Sequence, residues 1–165
     1  MAKAWASMDG VDAAEFRGVI DELVAELPPD APDGLFEQAA AFDSTGHSDR
    51  AVPLYQEALA SGLNGERRRR AVIQMASSLR NLDRSQESIA LLTAELENGS
   101  DHLDDALKTV LALALTDVGR EREAVAIAVE ALAGHLPRYQ RSMATYARLL
   151  IEPDPTADPE SDVRS

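Results

Sequence analysis

The sequence contains three similar segments at a nearly constant spacing, and this internal repeat limits the possible folds more than any other feature. The segments read SDRAVPLYQEALASG, RSQESIALLTAELENG and EREAVAIAVEALAGHL. When they are aligned, Ala51, Ser88 and Ala124 fall on one position, at spacings of 37 and 36 residues. A period of this length is typical of units of two helices, which bury their apolar faces only against neighbouring units. The chain is therefore expected to form a stack of helical hairpins.

Composition independently favours helices. Hydrophobic residues make up 45% of the 165 residues, but aromatic residues make up only 4%. The apolar share is supplied largely by Ala, Leu and Val, and Ala and Leu are strong helix formers, whereas sheets favour β-branched and aromatic residues. An all-α fold is the prediction.

Two further positions repeat with the same period. The first helix of each unit is expected to cross the second helix closely, which needs a small residue, and the aligned residues are Ala39, Ala76 and Ala112. The turn between the two helices needs a residue that tolerates a positive φ, and the aligned residues are Gly46, Asp83 and Gly119. Both observations support the alignment with residues that were not used to make it.

These matches resemble the tetratricopeptide repeat family over roughly residues 32–136. The stretch RRRRAVIQMASSLRNLDRSQESIALL is similar to small bacterial tetratricopeptide proteins of unassigned function. The resemblance implies an α-solenoid of about three hairpins, with an N-terminal helix before them and a C-terminal capping helix after them. Lys108 and Glu95 depart from the family pattern, which has Trp and Ala at these two positions.

The chain is accordingly divided into three parts. Residues 1–31 are an N-terminal helix and a Pro-rich connector, with residues 1–8 loosely ordered and the helix ended by Pro28 and Pro29. Residues 32–152 are the repeat domain, whose capping helix follows Pro137 and has Tyr139 and Met143 on one side. Residues 153–165 are acidic and Pro-rich and are expected to be disordered.

The N-terminal helix has an apolar stripe wider than a solvated helix needs, and two alternatives follow. It packs on the first hairpin, or it inserts into a groove, either its own or that of a twin subunit. The apolar end of the capping helix, at Leu149, Leu150 and Ile151, is a candidate patch for a homodimer.

Net charge excludes two classes of partner. The formal charge of −13 at pH 7 argues against nucleic acid and against anionic membranes. The N-terminal residues contain no apolar run like that of a signal peptide, and no stretch resembles a membrane span, so a soluble cytoplasmic protein is expected.

No arrangement of residues points to catalysis. The chain has no Cys, and His47, His102 and His135 have neither metal-ligand nor triad spacing. No glycine-rich loop has the spacing that binds phosphate. We expect no enzyme, no metal site and no cofactor.

The run Arg67 to Arg70 is the strongest local charge anomaly. Arg67, Arg68 and Arg69 are expected to form a solvated helix start whose stems cover apolar surface. Arg70 differs, because the resemblance places it in the concave groove of the solenoid. The groove residues implied in this way are Arg70, Ile73, Gln74, Ser77, Arg80, Asn81, Thr109 and Leu113.

The function that follows is protein–protein interaction. Because arginine binds carboxylates through a rigid donor fork, the groove is expected to hold a protein or peptide segment, such as an acidic one. An ion pair of Arg80 with Asp43 or Asp117 is the alternative role for that side chain. The alternative function is a regulatory sensor that responds to a peptide or small ligand through homodimerisation.

Overall fold

The computed structural model describes residues 1–152, and their regular structure is helical. The nine α-helices of this part of the chain are α1 (Ala2–Ala6), α2 (Ala13–Val24), α3 (Pro32–Ser44), α4 (Ser48–Ala60), α5 (Gly65–Asn81), α6 (Ser85–Glu97), α7 (Asp104–Asp117), α8 (Glu121–Ala133) and α9 (Gln140–Leu149). The all-α prediction is confirmed. The predicted disordered tail, residues 153–165, lies outside the described residues.

Three helical hairpins form the stack, as the repeat predicts. They are α3 with α4, α5 with α6, and α7 with α8, and each hairpin also packs against the next. In addition, α5 contacts both α3 and α7, so the first helices of the three hairpins form one row. This row is the surface on which the sequence places the candidate groove.

Small side chains lie where the two helices of each hairpin meet. The predicted positions in the first helices, Ala39, Ala76 and Ala112, are all buried. Their counterparts in the second helices, Ala51, Ser88 and Ala124, are buried as well. A larger side chain in such close-packed places would force the helices apart. This constraint explains why small residues recur at these positions in all three repeats.

The three core clusters share helices and therefore hold the stack together. One joins α1, α2 and α3 around Phe16 and Ile20. The next lies among α3, α4 and α5 around Tyr55, and the last joins α5 to α8 around Leu92 and Leu107. Because α3 and α5 each belong to two clusters, α3 connects the N-terminal helices to the first hairpin, and α5 connects the first hairpin to the rest of the stack.

The turns inside the hairpins share one backbone conformation. Gly46, Asp83 and Gly119 have φ values of 81°, 59° and 76°. In each turn the amide of this residue donates to the carbonyl three residues back, and the next amide donates to the carbonyl five residues back. This pair of bonds is the Schellman motif, which satisfies carbonyls that a helix end would otherwise leave free. The predicted positive φ is confirmed at all three positions.

The N-terminal segment packs on the first hairpin, which is the first of the two alternatives. Gly34 makes the contact possible, because a Cβ there would lie 2.9 Å from Cγ1 of Val24. The expectation that residues 1–8 are loosely ordered is wrong for Ala2–Ala6, which form α1. The indole of Trp5 anchors α1 by donating to Oε2 of Glu37 at 2.7 Å and by packing edge-on against Phe16.

The arginine run joins three parts of the stack, and the expectation of a solvated helix start is wrong for Arg69, which is buried, while Arg67 is exposed. Arg67 lies 3.1 Å from Asp33 of α3, and Arg68 makes a two-pronged pair with Glu95 of α6 at 2.6 and 2.9 Å. The departure from the family pattern at Glu95 is thereby explained, since this buried carboxylate receives both donors of one guanidinium.

Arg69 is the buried member of the run, with 7% of its surface exposed. Its guanidinium donates to Oδ1 of Asp104 at 2.5 Å and to the carbonyl of Gly99 at 3.1 Å, and it lies 3.3 Å from Asp101. These partners belong to the loop between α6 and α7 and to the first turn of α7. Consecutive residues of a helix point about 100° apart, which allows three adjacent arginines to reach three different elements.

The capping helix differs from the prediction at its start. α9 begins at Gln140, and Tyr139 precedes it in a left-handed conformation with its side chain largely exposed, instead of lying on the packed side. Ala147 is buried against α8, and Arg122 of α8 donates to the carbonyl of Leu150 at the end of α9.

The glycine turn makes a prediction about stability. Gly119→Ala should lower the free energy of unfolding by about 1 kcal/mol, because alanine is strained at positive φ even though the space around Gly119 is open. Gly134→Ala is the matched control, since Gly134 has a φ of −61° and equally open surroundings. The control should be neutral or slightly stabilising. Urea denaturation of the two variants checks both, and equal losses would contradict the role of the turn.

The arginine run makes a second prediction. Arg69→Ala should lower the free energy of unfolding by about 3 kcal/mol, because it removes one partner of a largely buried ion-pair cluster. Arg67→Ala, two positions earlier in the same helix, should lower it by less than about 1 kcal/mol, because its pair with Asp33 is exposed and its contact with Glu37 is long, at 3.8 Å. Denaturant unfolding of both variants measures the difference. A loss from Arg67→Ala as large as that from Arg69→Ala would refute this assignment.

Candidate functional site

The candidate site is the row of first helices, and α5 lies at its centre. Arg70, Gln74, Ser77 and Asn81 follow one another at intervals of four, three and four residues, which places them along one side of α5. Residues of the neighbouring α7 that align with Ile73 and Ser77 are Thr109 and Leu113.

Arg70 is the exposed cation of this side of α5. Its guanidinium carbon lies 5.4 Å from the ring centroid of the buried Phe36, which holds the arginine stem against α3. Among residues 1–152, no carboxylate lies within ion-pairing distance of Arg70. Arg70 also lines a cleft of about 450 Å³ between the N-terminal ends of α3 and α5, together with Asp33 and Asn64.

Gln74 and Ser77 lie half-buried on the same side of the helix. The amide oxygen of Gln74 has no hydrogen-bond donor within the described part of the chain. A buried amide oxygen without a donor is unfavourable by about 1–3 kcal/mol, and because this atom is shielded from solvent, a donor from outside reaches it only after the side chain rotates. Ile73, in contrast, belongs to the core cluster between α5 and α8 and is almost fully buried.

Arg80 is engaged at the other end of α5. Its Nε donates to Oδ2 of Asp117 at 2.6 Å and a second nitrogen lies 3.2 Å from Oδ1, so the alternative of an ion pair with Asp117 is the one observed. The hydrogen bond from Arg80, with a second from Ser85, holds the pKa of the Asp117 carboxyl below its usual value. Both groups line an open cleft of about 610 Å³.

The remaining predicted residues flank this region. The side-chain amide of Asn81 lies 3.3 Å from the hydroxyl of Ser48, and the hydroxyl of Thr109 donates to the carbonyl of Asp105 at 2.7 Å. Leu113 is 48% exposed on α7. Within residues 1–152, it is the large apolar side chain that is exposed on the row of first helices.

A polar cluster lies beneath the α3–α5 side of the row. The hydroxyl of Ser78 donates to Oδ1 of Asp43 at 2.6 Å. Burial raises the pKa of the Asp43 carboxyl above its usual value, and the bond from Ser78 opposes the rise. Burial also raises the pKa of the neighbouring Tyr55 hydroxyl, and the charge of Asp43 adds to that shift. The repeat alignment gave no signal for this cluster, because its members are not at equivalent positions.

The histidines occupy separate places. His47 precedes α4, His102 lies 3.8 Å from Glu66, and His135 lies 2.8 Å from Asp105. Asp104, beside His102 in sequence, binds Arg69 instead. Within residues 1–152 there is no group of three His, Asp or Glu residues that could hold a metal ion.

The fold and this face define a class of protein, an α-helical repeat scaffold in which stacked hairpins present a row of first helices. No helix of residues 1–152 is both long and apolar enough to cross a bilayer. A family model of the tetratricopeptide repeat matches residues 32–150, which is most of the chain. The chain therefore belongs to the tetratricopeptide repeat family. Neither a curated protein nor a solved structure matches it significantly.

Membership in the family carries a general statement about function. Tetratricopeptide repeats generally mediate protein–protein interaction and form a non-enzymatic scaffold.

The raised pKa of Asp43 makes a prediction about pH. A carboxyl whose folded-state pKa is raised destabilises the folded protein while it is charged, and this penalty disappears as the pH falls through the folded pKa. The free energy of unfolding of Asp43→Asn should therefore exceed that of wild type at pH 7. This excess should be smaller near pH 3.8, where an unperturbed aspartate titrates. Denaturant unfolding of both proteins from pH 7 to about pH 3.8 measures this difference in unfolding free energy, which should decrease as the pH falls.

Asp9→Asn, at an exposed position, controls for the general effect of removing one negative charge. A difference between Asp43→Asn and wild type that widens on acidification would show that the buried carboxylate is stabilised rather than penalised.

Proposed function

We propose that the chain is a cytoplasmic adaptor that binds an acidic peptide segment of a partner protein along α5. The observation that carries the proposal is Arg70, an exposed cation without a carboxylate partner among the described residues, one turn before an amide oxygen without a donor at Gln74. A peptide segment supplies the missing carboxylate from a side chain or its terminus, and its main-chain N–H groups donate to the Gln74 oxygen once that side chain rotates toward the surface.

The dimensions of α5 suit a short extended segment. Arg70 and Arg80 are ten residues apart, which is about 15 Å along a helix axis. About five residues of extended chain cover this distance at roughly 3.3 Å per residue. Leu113 of α7 gives such a segment an apolar contact beside the polar ones.

Arg80 has a secondary role in this proposal. Its guanidinium is held by Asp117, so it orients the end of the site and is not available as a free cation. Reversing its charge would break that pair and place two carboxylates together, which would disturb the fold as well as binding. The test of the site is for this reason made at Arg70.

A peptide selection tests the proposal directly. Random peptides displayed on phage are selected on the purified wild-type chain, and the selected sequences are synthesised for titration by fluorescence anisotropy. We expect acidic sequences whose affinity falls at least about tenfold for Arg70→Glu, which corresponds to the loss of one charge-assisted hydrogen bond. Arg50→Glu is the matched control, because Arg50 is likewise exposed, lies over an aromatic ring, that of Phe42, and has no ion-pair partner among residues 1–152. It should leave the affinity unchanged.

The outcomes are distinct. Selected peptides that bind Arg70→Glu as tightly as wild type would overturn the assignment of the site to α5. Selected peptides with no excess of acidic residues would overturn the chemical class of the partner. Thermal unfolding of both variants confirms that the binding data refer to folded protein.

A further inference from the structure

The C-terminal end of the stack carries a basic and partly apolar surface. Residues 136–151 contain Arg138, Arg141 and Arg148 but no Asp or Glu, in a chain whose net charge is −13. None of these three arginines makes an ion pair with another of the described residues. Tyr146 and Leu149 lie between and beside them and are more than half exposed. Local charge here is opposite to that of the protein as a whole.

Tyr139 is the conformational anomaly of this surface. It has φ 68° and ψ 14°, a left-handed conformation that is unfavourable for a bulky residue because Cβ comes too close to the following carbonyl oxygen. Its side chain is nevertheless 72% exposed, so packing within the chain does not offset the strain. Together with Arg138 it lines two adjoining shallow clefts of about 690 and 550 Å³. A strained, exposed aromatic residue beside unpaired arginines indicates a surface made for contact.

The opposite end of the chain carries the complementary charge. Glu15, Val19, Glu22 and Glu26 lie at intervals of four, three and four residues and form an exposed stripe along and just beyond α2. The one basic residue of α2, Arg17, donates to Thr45 of the first hairpin and does not neutralise the stripe. None of the three glutamates makes an ion pair with another of the described residues.

The two charged stripes also match in length. Glu15 and Glu22 are seven residues apart, and so are Arg141 and Arg148. Seven residues correspond to about 10.5 Å along a helix, so two helices laid side by side bring both opposite-charge pairs into register. Val19 lies between the two glutamates and Thr145 lies between the two arginines. Because both are uncharged, they add no further charge between the two ion pairs.

We propose that α9 of one copy of the chain binds α2 of a second copy, joining the two molecules head to tail. The surfaces are different on the two partners, which leaves one α2 and one α9 free in the dimer and allows further copies to add. This contact uses the two ends of the stack and does not rest on the adaptor function proposed for α5.

Sedimentation velocity of the full chain tests the proposal. From about 10 µM to about 1 mM, the range of a small, weak interface, the weight-average sedimentation coefficient of wild type should rise in low salt. In about 0.5 M NaCl the rise should be much reduced, because exposed ion pairs are screened at that ionic strength. Wild type that stays monomeric at every concentration in low salt would overturn the proposal.

Two neutralising variants identify the surfaces and the polarity of the contact. Arg141→Gln with Arg148→Gln, and separately Glu15→Gln with Glu22→Gln, should each remain monomeric alone. Their equimolar mixture should form a one-to-one dimer and nothing larger, because each variant keeps the surface that the other has lost. The matched control, Arg120→Gln with Glu123→Gln, removes an exposed pair within α8 and should assemble like wild type.

Other occupants of the α9 surface give other results. A symmetric contact between two α9 helices would leave the glutamate variant dimeric and the mixture without a new species. Occupation by residues 153–165 of the same chain would make wild type monomeric and a chain ending at Glu152 self-associating. Either result would overturn the head-to-tail arrangement.

Tyr139→Gly provides a test that misfolding cannot mimic. Glycine adopts the left-handed conformation without strain, so the variant should melt at a higher temperature than wild type. It also removes an exposed aromatic contact, so its self-association in low salt should be several-fold weaker. A variant that is more stable and assembles as well as wild type would remove Tyr139 from the interface.

Discussion

Close packing between small side chains sets the spacing on which this molecule depends. Ala39 and Ala51 lie in one core cluster, and Ala76, Ala112 and Ala124 lie in the next, so each pair of helices meets over alanine-sized groups. Each hairpin then presents a surface that the following hairpin can cover, and the first helices fall into a row. The face that carries Arg70 exists only because this spacing is repeated three times.

Several basic side chains of this acidic protein hold that stack together. Arg67, Arg68 and Arg69 reach α3, α6 and the loop before α7, while Arg80 reaches Asp117. A cation engaged in this way is already neutralised and has little attraction left for a partner. Arg70 and the arginines of residues 138–148 make no such pairs with residues 1–152, so their charge is still available to attract a partner.

The repeat period predicted the hairpins, the buried alanines and the positive φ of Gly46, Asp83 and Gly119, because these features depend on residues at fixed offsets. It did not predict the burial of Arg69, since the partners of Arg69 lie 30 to 35 residues along the chain, in the loop before α7 and the first turn of α7, outside the positions that the repeat aligns. α1 escaped prediction because only the contact of Trp5 with Glu37 and the packing around Phe16 order so short a helix. The candidate groove remains a proposal, although the structure adds that Ile73 is core and that Arg80 is paired.

The two proposed surfaces are compatible because they lie on different parts of the solenoid. Contact between α9 and α2 of successive copies would leave α5 of every copy uncovered, so an assembled chain would present several equivalent peptide sites. Weak sites that are physically joined bind a partner with repeated acidic segments more tightly than any single site does, through a raised effective concentration. An exposed, salt-sensitive end contact and a single-cation peptide site are each weak alone, and their combination would allow ionic strength or protein concentration to control partner binding.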